Sequence, residues 1–188
     1  PYVETDATTP LSIYGRSKRD GEVAVRACKW HLIFRTSWVV GAHGHNFLRT
    51  ILRLAKDRPN LRVVADQHGA PTSAALLAEV TARVLAQTGQ STAEPRWGLY
   101  HLVAGGETSW HGVARHAIAR ANTMGLPLLA SPETVEPITT ADYPTPARRP
   151  ANSRLSTAKL RETFALTLPD WSVGVNAVLD QIIPEMSK

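Results

Sequence analysis

The sequence contains a single cysteine, Cys28, among 188 residues, so an intramolecular disulfide is excluded. A reducing compartment is the default for such a chain, and we predict a cytoplasmic location. No apolar run approaches the roughly 20 residues that a membrane-spanning helix requires. No signal-peptide pattern opens the sequence either. We therefore expect no membrane association.

Clustered positive charge is also lacking. Lysine and arginine number 21 and aspartate and glutamate 16, which gives a formal net charge of +5. The tightest basic group is only the pair Arg148–Arg149, and no motif of a known nucleic-acid-binding module is present. A dispersed positive charge suits an anionic small molecule at least as well. We therefore do not expect nucleic-acid binding.

An initiating methionine is absent too, because the chain begins at Pro1. Its first predicted helix already carries candidate catalytic side chains. We therefore expect this chain to be a segment of a longer protein.

The pair Tyr14 and Lys18 is the strongest candidate for chemistry. Pro10 and Ser12 are typical of helix starts, and we predict a helix over residues 10–29. Side chains four residues apart share one face of a helix. A phenol has a reference pKa of about 10, and a neighbouring ammonium lowers it, which suits acid–base chemistry near pH 7. An ordinary surface pair is the alternative interpretation.

Helices and buried strands alternate along most of the chain, which predicts an α/β fold with a parallel sheet. Ligands of such sheets bind at the carboxyl ends of the strands. Between residues 127 and 150, six prolines disfavour long helices. We predict strands over 35–41, 61–65, 97–103 and 135–138, helices starting at 47, 73 and 110, closing helices over 156–164 and 171–183, and loops over 89–96 and 143–150.

The loop before the second predicted helix contains Gly41 and Gly44, and Asn46 is well placed to cap that helix. Two glycines before a capped helix suit an anion cradle, and equally a plain tight turn. His43 and His45 have no third ligand nearby. We interpret them as loop residues and not as a metal site.

Taken in order, these segments resemble the extended, nucleotide-sugar-handling branch of the short-chain dehydrogenase/reductase superfamily. Within it they look most like the carboxy-terminal two-thirds of the dTDP-4-dehydrorhamnose reductase family. The resemblance runs the whole length of the chain. The matching motifs are Pro1-Tyr2 with Glu4, Tyr14-Gly15-Arg16-Ser17-Lys18 with Gly21-Glu22, Arg35-Thr36-Ser37-Trp38, Gly44-x-Asn46-Phe47, Asp66-Gln67-x-Gly69-Ala70-Pro71-Thr72, Tyr100-His101, Ser109-Trp110, and Tyr143-Pro144-Thr145-Pro146-Ala147-x-Arg149-Pro150-x-Asn152-Ser153-x-Leu155.

The resemblance implies part of a Rossmann-like, doubly wound parallel sheet that lacks its first strands, joined to a smaller mixed α/β substrate-binding region. We expect the remaining core over residues 1–126, with substrate-side insertions around 42–75. The substrate-binding region and closing helices are expected over residues 127–188.

The implied activity is reduction of the C4 keto group of dTDP-4-dehydro-6-deoxy-L-mannose to dTDP-L-rhamnose, for cell-surface polysaccharide (O-antigen) synthesis. NADPH or NADH would supply the hydride, and the dTDP-sugar would be the partner of the protein. Because some members of the family suggest a role for magnesium, Mg²⁺ is a further candidate cofactor. A homodimer is compatible with the resemblance.

The resemblance also implies roles for individual residues. Tyr14 would protonate the developing C4 alkoxide, and Lys18 would hold the nicotinamide ribose and lower the pKa of Tyr14. Trp38 would pack against the sugar, and Asn46 would lie near the diphosphate.

Three further residues, Asp66, Gln67 and Arg149, would line or brace the substrate pocket. For these three, hydrogen bonds that merely tie down a loop are an equal alternative.

The chain departs from the family in two places. It has no Gly-x-x-Gly-x-x-Gly loop before Tyr14, the loop that binds the cofactor pyrophosphate. The upstream serine or threonine of the family's catalytic set is also absent. We therefore expect that this chain alone neither binds NADPH tightly nor turns over, and that it exposes apolar edges.

Two other functions stay open. One is a non-catalytic relative, like the regulatory subunit of methionine adenosyltransferase. The other is a sugar-nucleotide epimerase or dehydratase of the extended family. The motifs over 66–72 and 143–150 fit the reductase better.

Overall fold

The computed structural model describes residues 1–88, 96–145 and 149–187. Most of the loop predicted over 89–96, part of the loop predicted over 143–150, and Arg148 lie outside the described residues. The helices in the described part are α1 (Ile13–Arg26), α2 (Phe47–Asp57), α3 (Ala74–Thr88), α4 (Trp110–Thr123), α5 (Ala158–Phe164) and α6 (Trp171–Met186). The strands are β1 (Leu32–Arg35), β2 (Val39–Val40), β3 (Leu61–Val64), β4 (His68–Gly69), β5 (Thr72–Ser73), β6 (Gly98–His101), β7 (Thr108–Ser109) and β8 (Val135–Ile138).

Most strand pairs are parallel, as the sequence predicts. Strand β1 pairs with β6, β2 with β5, and β3 with β8, all in parallel. The short strands β4 and β7 pair in antiparallel orientation. Parallel partners need a crossover connection between them, and helices supply it here. The predicted α/β class with parallel strands is therefore confirmed.

One predicted strand is wrong. The sequence predicts a continuous strand over 35–41, but β1 ends at Arg35 and β2 comprises only Val39–Val40. Trp38, between them, has a left-handed backbone with φ of 50°, which an extended strand cannot contain. Because of this break, the chain changes partners, and its two halves pair with different strands.

Three clusters of buried side chains form the core. One lies among α2, α4 and α6, the second among α3, β6 and α5, and the third among α2, β3, α4 and β8. The apolar residues of α2 and α4 recur at helical spacing and face these clusters. Each cluster contains residues from both sides of position 126, and the division into 1–126 and 127–188 stays a prediction.

Helix α1 differs from the core helices. All 14 of its residues are described, and none of them is buried. Ile13 and Val23 are 82% and 66% exposed, so α1 presents apolar side chains to solvent. Within the described residues, no helix has the length and apolar character to cross a membrane.

Candidate active site

Tyr14 and Lys18 lie on one face of α1, as their spacing predicts. The Ser12 side chain accepts a hydrogen bond from the Gly15 amide at 3.1 Å and caps the helix start. Such a cap stabilises a helix by about 1 kcal/mol. The Lys18 ammonium lies 5.2 Å from the centroid of the Tyr14 ring. The arrangement places a cation beside a phenol that is 71% exposed.

Both groups are available to a ligand. Within the described residues, the Tyr14 hydroxyl has no hydrogen-bond partner and Lys18 has no ion-pair partner. A phenol in this state can donate a proton to a bound molecule, and a free ammonium can hold hydroxyl or anionic groups.

A bidentate ion pair joins α1 to the end of β1. The Arg35 guanidinium donates to both Glu22 carboxylate oxygens, at 2.8 and 2.7 Å. This hydrogen bonding is the main reason that the pKa of Glu22 is lowered and the pKa of Arg35 is raised. Both residues belong to the sequence motifs named above, but the sequence predicts no role for either of them. Arg35 is a charged residue at the end of the apolar strand Leu32–Arg35. Because a charge in such a place usually has a partner, this feature of the sequence could have indicated an ion pair.

The Trp38 side chain packs between Trp110 and Gly69. Its indole stacks on that of Trp110, with centroids 3.9 Å apart and planes inclined by 17°. Phe47 packs against the same Trp110 ring at 4.6 Å. Gly69 lies directly against the Trp38 ring, and a Cβ there would come within 2.9 Å of it. The half-buried indole is therefore held in one place at the strand break.

Asn46 caps α2, as predicted. Its Oδ1 accepts from the Arg49 amide at 3.1 Å, and its Nδ2 donates to the Gly41 carbonyl at 2.7 Å. Gly44, between these residues, has a left-handed φ of 72°, which glycine adopts without steric cost. The side chain of Asn46 thus links the start of this turn, at Gly41, to the first turn of α2.

Asp66 and Gln67 meet at Thr140, the first residue of the short 3₁₀ helix Thr140–Asp142. The Asp66 carboxylate accepts from the Thr140 amide at 2.9 Å and from its hydroxyl at 2.7 Å. The Gln67 amide donates to the same hydroxyl at 3.1 Å. Hydrogen bonds from Thr140 lower the pKa of Asp66. The two side chains tie the loop after β3 to the turn after β8.

Arg149 is exposed and follows the undescribed residues 146–148. Within the described ranges, no hydrogen bond, ion pair or ring contact joins it to the other six predicted site residues. The structure thus brings together Tyr14 with Lys18, and Asp66 with Gln67. It does not connect the first pair to Trp38, Asn46 or the second pair by such contacts in the described residues.

Metal ligation finds no support in the described part of the chain. No group of three or more histidine, cysteine, aspartate or glutamate side chains there could hold a metal ion.

Comparison with known proteins identifies relatives over nearly the whole chain. A dTDP-4-dehydrorhamnose reductase of Shigella flexneri is 50% identical over 183 residues, which cover 97% of this chain and 60% of that protein. The chain therefore spans about 60% of the length of the curated relatives that it matches.

Solved structures match the fold. The dTDP-4-dehydrorhamnose reductase of Bacillus anthracis, in complex with NADP, superposes with a TM-score of 0.82 at 31% identity, covering 96% of this chain and 59% of that one. A UDP-galactose 4-epimerase superposes with a TM-score of 0.73 at 15% identity, covering 98% and 57%. The latter likeness extends to the fold alone, so it gives the epimerase alternative no further support.

The profile of the family described as the RmlD substrate binding domain matches residues 1–183. The chain therefore belongs to the RmlD substrate-binding domain family.

Proposed function

We propose that the full-length protein containing this chain reduces the C4 keto group of dTDP-4-dehydro-6-deoxy-L-mannose to dTDP-L-rhamnose. The observation that carries the proposal is the Tyr14–Lys18 pair, with the ammonium 5.2 Å from the phenol ring, in a chain that is 50% identical to a reductase of that name. The pair stands at the start of an exposed helix, where a substrate can reach it.

In this proposal, Tyr14 is the general acid. Hydride addition to the C4 carbonyl carbon develops an alkoxide on its oxygen, and the Tyr14 hydroxyl donates its proton to that oxygen. The cofactor, NADPH or NADH, supplies the hydride when bound. The positive charge of Lys18 stabilises the phenolate that remains, because an opposite charge nearby favours the ionised form. Lys18 is also the residue of this chain that would hold the nicotinamide ribose.

On the substrate side, Trp38 offers one indole edge and face to the sugar, while Trp110 covers the other face. Asn46 would act near the diphosphate by shaping the turn before α2, because its own amide group already bonds Gly41 and Arg49. Asp66 and Gln67 would brace the pocket wall through Thr140. Arg149, an exposed cation, would face an anionic part of the dTDP-sugar.

The cofactor site would lie mostly in the portion of the relatives that this chain does not span. These 188 residues contain no Gly-x-x-Gly-x-x-Gly loop, so the backbone cradle for a pyrophosphate would have to come from elsewhere. The exposed apolar face of α1 is the surface on which that remaining portion would pack. We therefore propose that this chain alone neither binds NADPH tightly nor turns over.

The direct test compares the full-length wild-type protein with its Tyr14→Phe variant, in NADPH oxidation with the 4-keto sugar nucleotide. We expect the variant to lose at least about 100-fold in kcat, because general acid catalysis contributes roughly 10²- to 10⁴-fold. Tyr2→Phe removes a hydroxyl from another exposed tyrosine and should retain activity. Undiminished turnover by Tyr14→Phe would refute the assignment of the general acid.

A further inference from the structure

The helix that carries Tyr14 and Lys18 makes little apolar contact with the rest of this chain. None of the 14 residues of α1 is buried, whereas α2, α4 and α6 each bury four or more side chains. In the described residues, the side-chain hydrogen bonds that leave α1 for another strand or helix are those between Glu22 and Arg35. Within this chain, polar contacts therefore attach α1 to the sheet.

The Glu22–Arg35 pair has the geometry of a positioning contact. Glu22 lies four residues beyond Lys18 and eight beyond Tyr14, so the three side chains follow one stripe of α1. The two carboxylate oxygens of Glu22 each accept one hydrogen bond from the Arg35 guanidinium. This bidentate geometry fixes the angle between the two groups as well as their distance. The two side chains are only 17% and 19% exposed, so water screens the pair weakly.

Arg35 is itself held rigidly. It is the last residue of β1 and pairs in register with His101 of β6. Its carbonyl accepts from the Leu102 amide at 2.9 Å. The guanidinium therefore projects from the carboxyl end of two paired strands, which is the edge where open α/β sheets bind ligands.

A second carboxylate fastens the segment that leads into α1. The Glu4 side chain accepts from the His101 amide at 2.8 Å. His101 is fully buried, and within the described residues neither of its ring nitrogens has a hydrogen-bond partner. Two acidic side chains, one before α1 and one on it, thus attach to the facing residues Arg35 and His101 at the ends of β1 and β6.

From this geometry we infer that Glu22 and Arg35 are positioning residues for the proposed reaction. Their ion pair sets the rotation of α1 and its distance from β1. In this way the pair aims Tyr14 and Lys18 at the substrate. The inference rests on the proposed function for its chemical meaning. Neither residue touches the reacting atoms. The pair acts by holding the helix.

The test uses the full-length protein with the variants Glu22→Gln, Arg35→Gln and the double variant, together with Arg35→Lys. We expect kcat to fall roughly 10- to 100-fold, since a displacement of about 1 Å can cost that much, while KM changes less than about threefold. The double variant should lose no more than either single variant, because both remove one interaction. Arg35→Lys keeps the positive charge but cannot form the bidentate hydrogen bonds, and we expect this variant to lose most of the activity as well.

Two controls separate positioning from general damage. Glu79→Gln breaks the exposed Glu79–Arg83 pair on α3, which has the same charge chemistry at 2.7 Å, and should leave kcat unchanged. Hydrogen exchange of the backbone amides should rise in α1 of the Glu22→Gln variant and stay unchanged in α3 and α4. Normal kcat in Glu22→Gln, or additive losses in the double variant, would overturn the inference.

Failure of the proposed function gives a different result. If the wild-type protein does not reduce the sugar nucleotide, the proposed function falls. Hydrogen exchange then decides the structural half of the inference without any turnover, because unchanged exchange in α1 of Glu22→Gln would show that the pair does not hold this helix.

Discussion

The indole of Trp38 stacks on that of Trp110 with the ring centroids 3.9 Å apart. The same Trp38 has a left-handed backbone, φ 50°, and its carbonyl accepts from the Thr72 amide at 3.1 Å. A non-glycine residue in this region costs of order 1–3 kcal/mol and persists only where its surroundings enforce it. Stacking, hydrogen bonding and the close approach of Gly69 together provide that enforcement.

Gly69→Ala should disturb Trp38 directly. The new Cβ would lie 2.9 Å from Trp38 Cε2, so either the indole or the backbone must shift. We expect a loss of about 1–3 kcal/mol in the free energy of unfolding, typical of overpacking. The near-ultraviolet circular dichroism of the stacked Trp38–Trp110 pair should also weaken.

The matched control for that substitution is Gly21→Ala in α1, where a Cβ would meet no atom within 4 Å. Alanine favours a helix interior over glycine by about 0.5–1 kcal/mol, so this variant should be slightly more stable than wild type. Equal stability of the two variants in urea unfolding would contradict the proposed close packing at Gly69.

Asp66→Ala should loosen the turn Thr140–Asp142. The substitution removes the carboxylate that accepts hydrogen bonds from the Thr140 amide and hydroxyl. The Gln67 amide, which donates to that hydroxyl, then remains as its side-chain partner. If the turn forms the pocket wall, KM for the sugar nucleotide should rise several-fold while kcat changes little. Asp180→Ala, which removes the exposed ion pair to Arg120, is the control and should change neither constant.

Acid should destabilise the protein in two steps. Burial lowers the pKa of His101 below 6.5, and Glu4 opposes this shift only in part. A base with a depressed pKa contributes stability that is present above its unfolded value and is lost as the pH falls through its folded pKa. The unfolding free energy should therefore begin to fall below about pH 6.5.

The second step includes Glu22, whose pKa the Arg35 hydrogen bonds lower below 4.5, and Asp66, whose pKa the Thr140 hydrogen bonds lower. The stabilisation from Glu22 is present above 4.5 and is lost as the pH falls through the lower folded value. Urea unfolding from about pH 8 down to about pH 2 covers both steps. His101→Phe should abolish the first step, and Glu22→Gln should reduce the second step without removing the part that Asp66 contributes. An unchanged first step in His101→Phe would exclude the buried imidazole as its source.

The 188-residue chain should not bind NADPH tightly by itself. No Gly-x-x-Gly-x-x-Gly loop is present to cradle a pyrophosphate. Calorimetric titration of this chain with NADPH should give no tight-binding heat, whereas the full-length protein should bind. Tight binding by the chain alone would mean that some other part of its surface forms a cofactor site.

Local patterns in the sequence were sufficient wherever neighbouring residues decide the outcome. The caps Ser12 and Asn46 mark two helix starts because a cap bonds an amide only three residues away. The closeness of Tyr14 and Lys18 follows from one turn of helix. Parallel pairing followed from the alternation of buried strands with helices, confirmed by three strand pairs.

Contacts between distant segments were beyond such patterns. Asp66 and Thr140 are 74 positions apart, and no local rule pairs them. The apolar, β-branched run over 35–41 favours one strand on propensity alone. Only packing against Trp110 and Gly69 decided that it breaks at Trp38. Likewise, Glu22 and Arg35 became partners only when α1 crossed the end of β1, because a side-chain ion pair depends on three-dimensional distance and not on spacing along the chain.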